Sequence, residues 1–173
     1  MEKSPLYSIG HGRRKTEDFI ALLKQYHISH LADVRSVPLS RFNPQYNRNR
    51  LQQSLAENDI AYLFMGDELG GRPKDAFCYD EKGRVGYDRV KETNFFRRGI
   101  ERLREAYERD LRLAIMCSES KPCECHRSKL IGPVMKTEGI TIMHIDEKGV
   151  LQTQEDVEKT WLPKDGHPTL FDV

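Results

Sequence analysis

The residues best suited to chemistry in this chain lie between Met116 and Ser128. The segment carries three thiols, an imidazole, a guanidinium and a carboxylate, on Cys117, Cys123, Cys125, His126, Arg127 and Glu119. It follows the apolar run Leu113–Met116, which predicts a buried strand, and it leads into a pattern that predicts a helix from Cys125 to Glu138. Helix N-termini present unpaired N–H groups at the strand ends of α/β folds. The segment therefore predicts a ligand-binding or catalytic site.

Three interpretations of the cysteines are open on the sequence alone. Four soft ligands, enough for a closed tetrahedral zinc site, are present on Cys117, Cys123, Cys125 and His126. Alternatively, Cys117 or Cys125 is a thiolate, favoured by a helix N-terminus and neighbouring positive charge, and is nucleophilic or redox-active. In the third interpretation the cysteines only pack or line the site, and the functional polar groups are those of Glu119, His126 and Arg127.

Further polar motifs follow the other predicted strands. They are Gly10 to Arg13 after the first strand, Asp33 to Arg41 after the second, Gly66 to Pro73 after the third, and His144 with Asp146 after the fifth. Because the carboxyl ends of parallel strands lie at one edge of a sheet, we expect these motifs and the cysteine segment to converge on one crevice.

The side chains of these motifs are chemically complementary. Guanidinium groups suited to phosphate or carboxylate are offered by Arg35, Arg41, Arg72 and Arg127. His11 is a candidate general acid or base, and Gly70–Gly71 permits close backbone approach. Each has a structural alternative. Asp33 and Arg35 could form an internal ion pair, the glycine pair could be only a turn, and the histidine could be a hydrogen-bonded structural residue.

Apolar runs alternate with helical patterns along the chain, which predicts an α/β fold. We expect three layers, with a mostly parallel sheet of about five strands and helices on both faces. The length of 173 residues fits one domain, which we place at residues 1–150, followed by a polar tail at residues 151–173.

The composition limits the partners and the compartment. A formal net charge of +1 gives no global reason to bind nucleic acid or an anionic membrane. No apolar run approaches the roughly 20 residues that span a bilayer, and no secretory signal opens the chain. Three of the four cysteines crowd together, as in reduced or metal-binding proteins rather than disulfide frameworks. We therefore expect a cytoplasmic protein that does not bind a membrane.

The usual nucleotide loops are absent from the sequence. There is no Gly-x-x-x-x-Gly-Lys-Ser/Thr loop, and Gly10-His11-Gly12 lacks the third glycine of a dinucleotide fingerprint. The cysteine segment does not form a Cys-x5-Arg phosphate cradle, because Cys123 occupies the position of the arginine.

Four ordered motifs resemble the bacterial and archaeal family called domain of unknown function 488. They are Ser8 to His11, Asp33 to Arg41, Leu69 to Arg72, and Cys117 to Arg127, and His144–Asp146 is similar to the family's closing strand. The resemblance implies a single α/β domain, a polar cluster that looks like an active site, and a nucleotide- or nucleic-acid-related role. Two positions depart from the pattern, since Gly12 replaces a serine and Cys123 is additional.

These observations lead to the hypothesis of an enzyme that acts on a phosphorylated, nucleotide-like or nucleic-acid substrate, by hydrolysis or by cleavage of a glycosidic bond. The candidate catalytic residues are His11, Asp33, Cys117, Glu119, Cys125 and His126. The candidate substrate-binding residues are Arg35, Ser40, Arg41, Gly70, Gly71, Arg72 and Arg127. No cofactor is expected, with zinc at the cysteine segment as the alternative.

Two functions of other classes are retained as alternatives. One is a thiol redox or metal-binding protein that uses Cys117, Cys123, Cys125 and His126. The other is an adaptor that docks on a protein partner through its tail, with Leu170 and Phe171 as apolar anchors. Under the leading hypothesis the partner is an anionic small molecule or a nucleic acid.

Overall fold

The computed structural model describes residues 3–161 and contains one six-stranded sheet. Its strands are β1 (Leu6–Gly10), β2 (His30–Asp33), β3 (Ala61–Phe64), β4 (Leu113–Cys117), β5 (Ile142–Ile145) and β6 (Leu151–Thr153). They lie in the order β3-β2-β4-β1-β5-β6. The first five are parallel to their neighbours, and β6 pairs antiparallel with β5. The predicted α/β class and mostly parallel sheet are confirmed.

Seven α-helices connect and cover the strands within the described residues. They are α1 (Thr16–Gln25), α2 (Arg48–Ala56), α3 (Gly66–Leu69), α4 (Tyr87–Glu92), α5 (Asn94–Glu108), α6 (Gly132–Thr137) and α7 (Gln154–Lys159). A π-helical turn, Arg127–Ile131, leads directly into α6. Such turns are rare and occur frequently at functional sites.

Helices cover both faces of the sheet because successive strand residues point to opposite faces. On one face, Ile9 of β1 packs in a core with Phe19 of α1 and Leu55 of α2. On the other face, Leu6 of β1 packs in a second core with Leu103 of α5, and Met135 of α6 belongs to the same core. The predicted three-layer arrangement is therefore present.

The order of the strands places the chemical motifs at one edge. β4 lies between β1 and β2, with Gly10 opposite Cys117 and Asp33 opposite Met116. All three strands end at this edge, so the loops that follow them face each other there. The cysteine segment is consequently central among the motifs predicted to converge.

The sheet has one strand more than expected, and the fold continues beyond residue 150. The expected tail at residues 151–173 begins instead as part of the domain, since β6 extends the sheet and α7 buries Val157. Lys136 of α6 forms an ion pair with Glu158 of α7 at 3.0 Å. The adaptor hypothesis depends on Leu170 and Phe171, which lie outside the described residues.

A separate question is whether any element could cross a membrane. Among residues 3–161, no helix combines the length and the apolar character that a membrane span requires.

Candidate active site

A cavity of about 590 Å³ lies at the carboxyl ends of β1, β2 and β4. Ten of the candidate residues line it, namely His11, Arg35, Ser40, Arg41, Gly71, Arg72, Cys117, Glu119, Cys125 and His126. The other three, Asp33, Gly70 and Arg127, are buried behind its wall. The structure thus brings the predicted motifs together, and it separates residues that face the cavity from residues that support it.

Arg127 is fully buried beneath the floor of the cavity, with an exposed fraction of 0%. Its Nε donates to the sulfur of Cys117 at 2.9 Å and to that of Cys125 at 3.2 Å. Its Nη2 donates a hydrogen bond to the carbonyl oxygen of Glu119 at 2.7 Å. No carboxylate of the described chain forms an ion pair with this guanidinium. Since a buried charge requires a counter-charge, the sulfur pair is the group that must supply it.

The two thiols respond to this environment in opposite directions. Burial opposes ionisation of Cys125, but the neighbouring Cys117 thiol and the positive charge of Arg127 outweigh it and hold the pKa of Cys125 well below its usual value. Burial raises the pKa of Cys117 well above its usual value, and so does the neighbouring sulfur of Cys125. Cys125 is therefore the thiolate of the pair, and Cys117 is the neutral thiol, which donates to the carbonyl oxygen of Glu119 at 3.9 Å.

His126 lies beside this thiolate. Its Nε2 is 3.2 Å from the carbonyl oxygen of Val34, so Nε2 carries a proton, and its Nδ1 is 3.5 Å from the sulfur of Cys125. The ligand atoms of Cys117, Cys125 and His126 lie within 4.8 Å of one another, whereas Cys123 does not belong to this group. The structure thus brings together three of the four residues considered as zinc ligands.

The ion pair considered for Asp33 and Arg35 is present and buried. Arg35 binds the carboxylate through two parallel bonds, Nε to Oδ1 at 2.9 Å and Nη2 to Oδ2 at 2.7 Å. Tyr62 donates a further hydrogen bond to Oδ2 at 2.7 Å. Asp33 has an exposed fraction of 0% and does not line the cavity. Its position therefore fits support of Arg35 better than the catalytic role expected from the sequence.

His11 forms part of the cavity wall as a neutral imidazole. Its ring stacks on Tyr46, with 4.2 Å between centroids, and its Nδ1 is 2.8 Å from the carbonyl oxygen of Gly12. Burial lowers the pKa of His11 to about 4, and the nearby charge of Arg35 acts in the same direction. Because Nδ1 holds the proton, Nε2 is the acceptor of the ring, and it accepts a long hydrogen bond from Arg35 Nη1 at 3.4 Å.

Because His11 and His144 are buried, we expect the protein to lose stability in mild acid. Burial lowers the pKa of His144, like that of His11, from the usual histidine value of 6.5 to about 4 in the folded protein. The unfolded chain therefore takes up protons first as the pH falls through about 6.5, which favours unfolding by on the order of 3 kcal/mol per histidine. We expect the free energy of unfolding, measured with denaturant, to fall between about pH 6.5 and pH 4.

A matched pair of variants tests whether His11 contributes to this pH dependence of the free energy of unfolding. His11→Phe retains a ring that can stack on Tyr46 and removes one titrating group, so its pH dependence should be clearly shallower. His27→Asn removes an exposed histidine at a positive φ of 54° that asparagine tolerates, and it should behave as the parent does. Equal slopes in the parent and in His11→Phe would contradict the prediction for His11.

The rim of the cavity carries free positive charge and an exposed aromatic ring. Arg41 and Arg72 are exposed and form no ion pair within residues 3–161. The backbone N–H of Arg72 is anchored to Ser36 Oγ at 2.9 Å. Phe42, with an exposed fraction of 90%, lies next to Arg41 on the same rim. The rim can therefore offer guanidinium groups to an anion and a flat face to a planar ring.

Glycines allow the loops of the site to approach one another. A Cβ at Gly10 would lie 1.6 Å from the carbonyl oxygen of Glu119, and a Cβ at Gly70 would lie 2.4 Å from the carbonyl oxygen of Gly66. The Gly70 position therefore requires glycine for packing, which is more than the simple turn considered as its alternative.

Several residues of the site were not predicted from the sequence. Ser8, Tyr46 and Gln154 contact Arg127, His11 and His144 respectively. Ser8 lies within the first of the four motifs, which is a usable signal. Gln154 lies in the segment assigned to the tail, and only the pairing of β6 with β5 brings it to the site.

Comparison with known proteins identifies a family for most of the chain. The model of the family described as domain of unknown function DUF488 matches residues 15–132. Comparisons with curated proteins and with solved structures find no match.

Proposed function

Because the chain belongs to the family described as domain of unknown function DUF488, whose description names no activity, we propose a function from the site itself. We propose that the protein is an enzyme in which the thiolate of Cys125 acts as a nucleophile on a phosphorylated, nucleotide-like substrate. The observation that carries this proposal is the buried guanidinium of Arg127, which contacts two sulfurs and no carboxylate in the described chain.

The nucleophile meets the requirements of covalent catalysis. A thiolate reacts where a thiol does not, and neighbouring positive charge keeps it ionised at neutral pH. Cys125 lines the cavity, which places this residue beside the space in which a substrate would lie. Cys117, whose pKa is raised by burial, stays protonated and does not compete as a nucleophile.

The substrate class is proposed from the rim. Planar guanidinium groups bind phosphate with paired hydrogen bonds, and neither Arg41 nor Arg72 is engaged by a carboxylate of the described chain. An exposed phenyl ring such as that of Phe42 stacks on nucleobases of any sequence. A nucleotide would satisfy both features at once, and its reacting bond would enter the cavity towards Cys125.

A balanced reaction follows from these assignments. The thiolate attacks an electrophilic carbon of the substrate, and the bond to the leaving group breaks as the carbon–sulfur bond forms. Water then replaces the sulfur on that carbon, which regenerates the thiolate. The leaving group departs as an anion in the first step, and it takes up the proton that the water loses in the second step. The net reaction is hydrolysis, with no cofactor.

The proposed compartment is the cytoplasm. All four cysteines are free, and three of them are buried. A nucleophilic thiolate is preserved where thiols are kept reduced.

A second candidate function is supported by the grouping of Cys117, Cys125 and His126 within 4.8 Å. Two thiolates and an imidazole would leave one position of a tetrahedral zinc ion open towards the cavity. We favour the metal-free thiolate because the guanidinium of Arg127 already supplies a positive charge at both sulfurs. Metal analysis of tag-free protein separates the two, since one zinc per chain would support the second candidate and contradict the first.

The proposed substrate class predicts the effect of removing the rim charges. In the double variant Arg41→Gln/Arg72→Gln, binding of a nucleoside monophosphate should weaken by about a hundredfold, since each charge-assisted contact contributes about 1.5 kcal/mol or more. Binding is measured by calorimetry with the four common nucleoside monophosphates and inorganic phosphate. The thermal unfolding midpoint should not change, because both side chains are exposed.

The matched control is Arg98→Gln, which removes an equally exposed charge from α5, away from the cavity. It should bind as the parent does. Parent protein that binds none of the probes, or a double variant that binds them as tightly as the parent, would contradict the proposed substrate class.

A further inference from the structure

We propose that Ser8, His144 and Gln154 are positioning residues that hold the Arg127 guanidinium against the sulfur of Cys125. The site would then depend on α7 as well as on the cysteine segment. The inference rests on the proposed function, because it concerns the same nucleophile, but it is tested without substrate.

The three residues form a continuous buried chain of hydrogen bonds with Arg127, here called the buried relay. Arg127 Nη1 donates to Ser8 Oγ at 2.8 Å, and Ser8 Oγ is 2.7 Å from His144 Nδ1. His144 Nε2 is in turn 2.7 Å from Gln154 Oε1. Arg127, Ser8 and His144 are fully buried, and Gln154 is nearly so.

The contacts of Gln154 determine the donor and the acceptor in every hydrogen bond of the buried relay. Gln154 Nε2 donates to the carbonyl oxygen of Ser128 at 2.9 Å and to Glu158 Oε1 at 3.0 Å. Both partners are acceptors only, so the amide nitrogen must lie on that side and Oε1 must face His144. His144 consequently carries its proton on Nε2 and accepts on Nδ1 from the Ser8 hydroxyl. The oxygen of Ser8 is then left with its lone pairs towards Arg127.

The backbone of the π-helical turn explains why Gln154 is needed there. The N–H of Gly132 donates to the carbonyl oxygen of Arg127, which is one residue further back than in an α-helix. The corresponding donor for Ser128 would be Pro133, which has no N–H. The buried Ser128 carbonyl is therefore satisfied by the Gln154 side chain instead.

Local features hold Gln154 in position. A Cβ at Gly132 would lie 2.1 Å from Gln154 Oε1, so glycine is what lets the amide reach the relay. Gln154 is also the first residue of α7, directly after Thr153, whose side chain forms a capping box with Asp156. These contacts orient Gln154 from outside the relay, as expected for a residue that positions others.

The consequence for Cys125 follows from the geometry of the guanidinium. Two hydrogen bonds fix the plane of the Arg127 guanidinium, one from Nη1 to Ser8 Oγ and one from Nη2 to the Glu119 carbonyl oxygen. In this orientation Nε points at the two sulfurs. Without the hydrogen bond from Nη1 to Ser8, the planar guanidinium can rotate away from the sulfur of Cys125. The thiolate would then lose its closest positive charge, and its population would fall.

The test deletes single members of the relay and follows the ionisation of Cys125. The thiolate is titrated by its ultraviolet absorbance, as the difference between each protein and the same protein carrying Cys125→Ser. We expect Ser8→Ala and Gln154→Leu each to raise the apparent pKa of Cys125 by about one unit, which is a tenfold change in its acid dissociation constant. Ser8→Thr, which restores the hydroxyl, should return the titration towards that of the parent.

The matched control is Ser128→Ala, which also deletes a buried hydroxyl. That hydroxyl bonds to the backbone carbonyl oxygens of Pro122 and Cys125, and not to Arg127 or to either sulfur, so its loss should lower the thermal unfolding midpoint and leave the titration unchanged. If both Ser8→Ala and Gln154→Leu titrate as the parent does, the relay has only a structural role and the inference is wrong. A parent protein in which Cys125 titrates as an ordinary thiol would instead contradict the proposed function itself.

Discussion

Replacing Arg127 by methionine is expected to convert Cys125 from a thiolate into a neutral thiol and to lower the free energy of unfolding by about 3–5 kcal/mol. The substitution removes the cation that donates to both sulfurs and leaves the Ser8 hydroxyl and the Glu119 carbonyl without their donor. Buried negative charge without a partner is relieved by protonation, so the thiolate absorbance at neutral pH should disappear. Unfolding in denaturant gives the free energy, and ultraviolet titration gives the charge.

Arg14→Met is the matched control for this prediction. Arg14 is a half-buried arginine that, like Arg127, donates to backbone oxygens, those of Gly10 and Asp146, but it does not contact a sulfur. We expect Arg14→Met to lower stability while Cys125 remains a thiolate. A persistent thiolate in Arg127→Met would show that another group supplies the counter-charge.

Replacing Asp33 by asparagine is expected to lower the free energy of unfolding by a similar amount, about 3–5 kcal/mol. The guanidinium of Arg35 cannot lose its proton, so the substitution leaves a permanent positive charge buried at the cavity wall. Tyr62 and the backbone N–H of Arg35 also lose charged acceptors. Denaturant unfolding measures the loss.

The double variant Asp33→Leu/Arg35→Met tests the cause of that loss. Because it removes both charges together, it should recover much of the stability lost in Asp33→Asn. Tyr62→Phe removes one hydrogen bond and should cost only about 1 kcal/mol. A double variant less stable than Asp33→Asn would mean that hydrogen bonding, and not the unpaired charge, dominates at this position.

The convergence of the motifs was predictable because strand order has little influence on it. In any parallel sheet, residues that follow the strands meet at the carboxyl edge, and His11, Arg35 and Cys117 do so here. The apolar runs, which are buried between two helical layers, identified the strands themselves. The roles of the residues around the cavity required knowledge of distance and burial.

Two features of the site could not be predicted, for a common physical reason. Asp33 and Arg127 carry charges typical of ligand-binding residues, and nothing in the sequence shows that both are buried behind the cavity wall. Gln154 belongs to a polar segment, and its role appears only when β6 pairs with β5 and brings α7 beside the π-helical turn. Both depend on tertiary contacts between residues far apart in the sequence.

The charge on Cys125 is the central claim, and titration of its thiolate tests it most directly. The ultraviolet absorbance of the parent protein is followed between about pH 4 and pH 9, and the absorbance of Cys125→Ser is subtracted. We predict a thiolate that is fully formed at neutral pH and disappears only in acid, well below the ordinary cysteine pKa of about 8.5. A difference signal that appears only near or above that value would show that Cys125 is a neutral thiol, and it would contradict the proposed nucleophile.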